Sequence, residues 1–258
     1  MTPHRTDPVS VRALEPFFSA PERDDRSTHA HRLLIGALGL VLPALLWLIA
    51  GWRPTHAMPR WAPLDSVSAY YHTGAVAAFA GILTALAVYL FTYRGYANAY
   101  GRRDRIAAIV AGAAAVLVAF FPTRATSALP TPSWWTSWMG TVHYIAAVVL
   151  FGAFIYFCLF LFPKSQAGGA PLPPDKRRRN RIYRMCGVAM VACIAWAGGA
   201  RAGDAPIFWP EALALEFFAI SWLVKGRGDR TAVAVGQRAL YYGREAVGRV
   251  RSRARSGS

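Results

Sequence analysis

The side chains able to do chemistry inside the apolar stretches of this chain are few, and they gather near the starts of three of them. Asp65, Ser68, Tyr71 and His72 open the stretch 66 to 92, and His143 and Tyr144 open the stretch 141 to 163. Glu211 and Glu216 fall in the stretch 207 to 224, with Arg201 and Asp204 just before it. Ionisable groups within a membrane-spanning segment are costly, usually face the interior of a bundle, and mark function by default. On a continuous α-helix Asp65, Ser68 and His72 share one stripe, so a carboxylate can orient an imidazole that then works as a base. Glu211 and Glu216 are about 140° apart around a helix of 3.6 residues per turn, so at most one faces a shared pocket. His72, His143 and Glu211 are therefore the candidate catalytic residues, and Asp65, Ser68, Tyr71, Tyr144, Arg201 and Asp204 the candidate ligand-binding ones. The plainer alternatives are helix N-caps for Asp65 and Thr141 and a merely hydrated, interfacial His143.

The elements that must position these groups are membrane helices. Hydrophobic residues make up 55% of the 258 and charged ones only 16%, which excludes an ordinary soluble domain. The charges are confined to short segments between apolar runs at 32–52, 66–92, 106–121, 141–163, 182–199 and 207–224, long enough to cross a hydrocarbon core of about 30 Å, the third and fifth only marginally. The expected fold is all-α: a polytopic bundle of six transmembrane helices over 32–224, between a cytoplasmic tail, 1–31, and a basic cytoplasmic tail, 225–258. The first run follows a long polar segment and lacks a small-x-small cleavage pattern, so it reads as a retained helix rather than a secretory signal. Cys158, Cys186 and Cys193 all lie in apolar runs and imply no disulfide framework.

A net charge of +16 invites a nucleic-acid reading, but its distribution argues otherwise. Of the 29 Lys and Arg residues, all but Arg53, Arg60, Arg124 and Arg201 fall in the two tails and in the second and fourth loops. That alternation is the positive-inside pattern of an even number of spans with both termini cytoplasmic. The bulk of the charge is then explained by anionic lipid on the cytoplasmic side, worth about 1 kcal/mol per juxtamembrane Lys or Arg, and no nucleic-acid partner is expected. Arg greatly outnumbers Lys, a composition typical of a GC-rich bacterial genome, and the expected location is the bacterial inner membrane.

Small residues at Gly74, Ala75, Ala78 and Gly81, and from Ala111 to Ala115, are expected to let the second and third helices approach closely. The fourth, with Phe151, Phe154, Tyr156, Phe157, Phe160 and Phe162, suits lipid or a partner protein. Pro43 is placed to kink the first helix and Pro210 to sit harmlessly in the first turn of the sixth. Trp52, Trp61, Trp134, Trp135, Trp138 and Trp209 read as an outer interfacial belt. The tails offer a basic, intermittently apolar stretch at 231–258 and an apolar patch from Val9 to Phe18, each suited to lying on a membrane or meeting a partner.

The strings SVSAYYHTG (66–74), FTYRGY (91–96), GTVHYI (140–145), RRNRIYRMCG (178–187) and ISWLVKG (220–226) resemble those of a group of small bacterial multi-span membrane proteins. That resemblance covers about residues 65–227 and implies membrane residence and a site around SVSAYYHTG and GTVHYI, with no reaction attached. Ser68 and His72, four apart, are also similar to a motif of the ceramidase and progestin-receptor-like superfamily of seven-helix membrane hydrolases. The chain departs from that superfamily in lacking its late His-x-x-x-His pair and in having six helices for seven. The likeness implies a zinc centre that would have to use His72, His143 and a carboxylate such as Glu211. Three functional readings follow. The first is an outer-leaflet site on helices two, four and six that binds or processes a lipid or other amphiphile. The second is a non-enzymatic accessory subunit or scaffold that contacts a membrane protein partner through helix four or the tails. The third is electron transfer through one haem held by His72 and His143. No cofactor is specified by any motif.

Overall fold

The computed structural model describes residues 22–52, 61–93, 101–126, 129–164 and 174–226. Helices α1 (Glu22–Trp52), α2 (Val76–Thr92), α3 (Gly101–Phe120), α4 (Ser137–Tyr156), α5 (Pro174–Ala202) and α6 (Phe208–Lys225) account for most of them. A 3-10 segment, Ser68–His72, precedes α2, and α4 runs on into a π-helical turn, Phe157–Leu161. There is no strand among the described residues, so the fold is all-α. Residues 1–21 and 227–258, with the tail features read from them, lie outside the described residues.

Among the described residues three segments are long and apolar enough to cross a membrane: His29–Trp52, Ser137–Leu161 and Pro174–Ala202. Their outward faces carry Ile145, Val148, Met185 and Val188, each more than 60% exposed, a surface that only a hydrocarbon solvent matches over whole helices. These features identify an integral membrane protein. Helix α2 is equally apolar but has 17 residues.

Each helix packs on the next, and α6 returns to pack on α1, so the six form a closed antiparallel ring. Small residues set the closest approaches. A side chain at Gly36 would bring its Cβ within 2.9 Å of the Leu223 backbone nitrogen and 3.0 Å of the Ala219 carbonyl, so α1 and α6 touch backbone to backbone there. Gly112 of α3 similarly faces the Phe91 ring and the Ala87 carbonyl of α2. Gly74 and Gly81 face open space, so the small-residue contact expected of α2 is carried by Ala75 and Ala87 instead.

Aromatic side chains fill the ring. Phe154 stacks on Phe218 with centroids 3.6 Å apart, and Tyr93, Phe157 and Phe162 surround Trp222 at 5.1 to 5.4 Å. The aromatic face of α4 is thus divided: Phe154, Phe157 and Phe162 are core, and only Tyr156 and Phe160 point strongly outward. The reason is the π turn, which adds one residue to a helical turn and swings Phe157 and Phe162 inward, closed by a Phe162 N–H to Phe157 carbonyl bond of 2.8 Å. Substituting Gly36 by Leu overfills the α1–α6 contact. It is expected to destabilise the fold by about 1–3 kcal/mol, read as a lowered melting temperature in detergent, whereas Gly81→Leu leaves it unchanged.

Candidate functional site

Helix α3 ends because Pro122 cannot supply the N–H that its fourth preceding carbonyl, on Val118, would accept. The carbonyls that follow are left over, and in a low-dielectric surrounding each needs a donor. Three successive ones find it in side chains from elsewhere in the ring. His143 Nδ1–H donates to the Phe121 carbonyl at 2.6 Å, Trp135 Nε1–H to Pro122 at 3.0 Å, and His72 Nε2–H to Thr123 at 2.7 Å. Cationic or donor side chains at a helix C-terminus are also favoured by the helix dipole. His143 is 3% exposed; with Nδ1 donating, the acceptor of its neutral ring is Nε2.

The segment carrying Asp65, Ser68 and His72 is not the α-helix its spacing suggests. Ser66 Oγ accepts the Ala69 N–H at 3.0 Å, and Thr73 Oγ1 donates to the Tyr70 carbonyl at 2.8 Å while accepting the Ala75 N–H at 3.1 Å. These hydroxyl bonds compete with the helical pattern, holding residues 68–72 in a 3-10 turn and delaying α2 to Val76. Asp65 and His72 therefore share no stripe. The Asp65 side chain is exposed and caps no helix, since the residue before α2 is Ala75; its backbone carbonyl accepts the Ile207 N–H at 2.6 Å. Thr141 is likewise no N-cap, because α4 begins four residues earlier, and its hydroxyl donates to the Ser137 carbonyl at 3.4 Å.

One cavity of about 50 Å³ brings three of the candidate residues together. Ser68, His143 and Glu211 are the polar groups of a lining otherwise made by apolar side chains such as Leu42, Phe79, Leu83, Leu150 and Leu215. Glu211 Oε2 accepts the Val67 N–H at 2.7 Å, which ties the start of α6 to the 3-10 turn. Ser68 Oγ lies 3.1 Å from Ser66 Oγ. A volume of that order holds roughly three to five waters, given about 10–15 Å³ per water by the same measure.

The remaining candidates stand apart from this chamber. His72 is half-buried and outside its lining, with Tyr71 edge-on against it at 5.6 Å and against Phe79 at 6.1 Å. On the exposed side of the ring, Arg201 donates to the Tyr144 hydroxyl at 2.7 Å and lies 5.6 Å from that ring's centre. Asp204 is an exposed turn residue in the left-handed region, φ 52°. Among the described residues no three His, Cys, Asp or Glu side chains form a group suited to a metal ion, so the zinc centre that the hydrolase likeness implies has no ligand set there. The two histidines read as haem ligands each bond a carbonyl of one turn, two residues apart, through Nδ1 of His143 and Nε2 of His72.

Glu216 faces neither the chamber nor Glu211. It lines a second cavity, between α1 and α6, with Trp47, Trp61 and Trp209. Neither the capping of α3 nor this second cavity is visible in spacing along the chain, although Pro122, with His and Trp residues on the segments that flank it, is the sequence signal of the first.

Replacing His143 by Ala strands the Phe121 carbonyl and is expected to destabilise the protein by about 1–3 kcal/mol. Tyr144→Phe removes only an exposed contact and changes stability by less than about 0.5 kcal/mol; thermal unfolding of the two variants side by side checks both.

No protein-family model, curated protein or solved structure matches this chain.

Proposed function

We propose that this chain crosses the bacterial inner membrane six times with both termini in the cytoplasm, and that its Ser68–His143–Glu211 chamber faces the outer leaflet and binds or processes a lipid or other amphiphile. The observation that carries this reading is the convergence of those three residues, from the 3-10 turn, α4 and α6, on one cavity with apolar walls. Orientation rests on the two ends of the ring. One end exposes Trp52, Trp61, Trp134, Trp138 and Trp209, as an interfacial belt would, and the chamber's residues belong to the segments starting there. The opposite end carries Arg102, Arg103, Arg105, Lys164 and the basic first turns of α5.

Glu211, His143 and Ser68 set polar atoms in apolar walls, an arrangement suited to a ligand that brings O–H or N–H groups. The chamber's small volume admits a hydroxyl, an amide or a few waters and leaves the chain of an amphiphile in the surrounding bilayer. Should the ligand be processed, His143 is the base and Ser68 or a chamber water the group it activates, with Glu211 oriented by the Val67 N–H. His72 serves to hold the turn.

The test is native mass spectrometry of protein released from its own membrane in mild detergent, wild type beside Glu211→Gln and Ser68→Ala. A bound hydroxylated or amide-bearing lipid on the wild type, reduced at least tenfold on both variants with melting temperatures preserved, is the expected result. A bare protein, or a co-purifying protein partner indifferent to both substitutions, would instead favour an accessory subunit. Topology has its own check: alkaline phosphatase fused after Pro130 is expected to be active, and fused after Ser258 inactive.

A further inference from the structure

Glu216 sits about 12 Å along the axis from Phe208 at 1.5 Å per residue, well inside α6. It has no hydrogen bond or ion pair with any described residue, and it is half-buried. An ionisable side chain at such a depth is costly unless something compensates it. What it faces is a cavity of about 320 Å³ between α1 and α6, walled by Pro43, Trp47, Trp61, Phe208 and Trp209. That volume is at the lower end of the range for small-molecule sites.

The cavity is built rather than incidental. Trp47 Nε1–H donates to the Trp61 carbonyl at 3.1 Å, and the two indoles meet edge to face at 5.4 Å. Trp61 adopts φ 64°, a left-handed conformation unfavourable for a bulky residue, which the bond to Trp47 helps to hold. Gly51 lies directly beneath its ring, where any Cβ would overlap the indole. Three features thus fix an indole as a wall of the cavity, and Trp209 contributes another from α6.

Carboxylate, indole faces and apolar walls together match one class of ligand. Indoles attract cations through their ring quadrupole, more strongly where water is excluded, and a carboxylate with no partner among the described residues supplies the counter-charge. We propose that the α1–α6 cavity is a binding site for a lipophilic amine, its ammonium set against Glu216 and the indoles and its apolar body along Pro43, Ala212 and Leu213. This site lies on a different flank of α6 from the Ser68–His143–Glu211 chamber and does not depend on it.

The experiment is calorimetric titration of full-length protein in phosphatidylcholine nanodiscs with dodecylamine, with dodecanol as the uncharged equivalent and empty nanodiscs subtracted. One saturable amine site per protomer is expected, with dodecanol at least tenfold weaker. Glu216→Gln is expected to weaken amine binding at least tenfold, and Trp209→Ala severalfold, while Glu216→Asp, which keeps the charge, stays within about threefold of wild type. Equal affinity for amine and alcohol, an unchanged affinity in Glu216→Gln, or no saturable binding above empty nanodiscs would overturn the assignment. Melting temperatures of the variants identify any loss due to misfolding, and in that event the amine-to-alcohol comparison on the wild type decides.

Discussion

The constraint on which the rest of this structure depends is the need of every helix end to satisfy its last carbonyls where water is scarce. The ring meets it by drawing donors from other segments. Carbonyls at the end of α2 accept from His31, bonded to Tyr89 at 2.6 Å, and from Arg105, bonded to Phe91 and Tyr93. The end of α3 takes His143, Trp135 and His72, and the end of α4 takes Lys176 on Phe162 and Asn180 on Pro163, both at 3.1 Å. Each of these bonds ties neighbouring segments of the ring together, so capping and assembly are the same event. Hydrogen bonds to buried carbonyls contribute modestly when made, but leaving the carbonyl without a donor costs about 1–3 kcal/mol, which is what makes the arrangement specific.

This use of polar side chains changes what the two membrane histidines mean. An ionisable residue in a span is read as functional because it is expensive, yet here His72 and His143 offset part of that expense by serving backbone groups that would otherwise be stranded. The same bonds also make His143 usable. A ring fixed by its Nδ1–H presents one defined acceptor, the orientation that a base requires. His143 thus holds a backbone carbonyl and also lines the chamber, while His72 holds its carbonyl outside it.

The two glutamates of α6 show how one helix serves two environments. Glu211, in the first turn, is drawn into the ring by the Val67 N–H and shares the polar chamber, whereas Glu216, five residues on, turns to the flank shared with α1 and meets indoles. The close approach at Gly36 sets how near α1 and α6 lie, and the cavity opens toward the Trp61 end of the same pair. Gly36 thus shapes the cavity through helix spacing, without lining it.

By itself the sequence determined the helical class, the helix count and the approximate place of each helix, though not where the first two begin, because apolar runs in a bilayer leave the backbone no alternative to helix. It also separated Glu211 from Glu216, since their angular offset follows from the helical repeat alone. The tertiary structure decided what periodicity cannot carry. That residues 65–75 would leave the α-helix depended on hydroxyl bonds from Ser66 and Thr73, and that Phe157 and Phe162 would both turn inward depended on a π turn. The meeting of Ser68, His143 and Glu211 at one cavity, with Asp65, Tyr144, Arg201 and Asp204 outside it, depended on which helices neighbour which. Spacing along a chain fixes the face of a helix, but only packing fixes what that face meets.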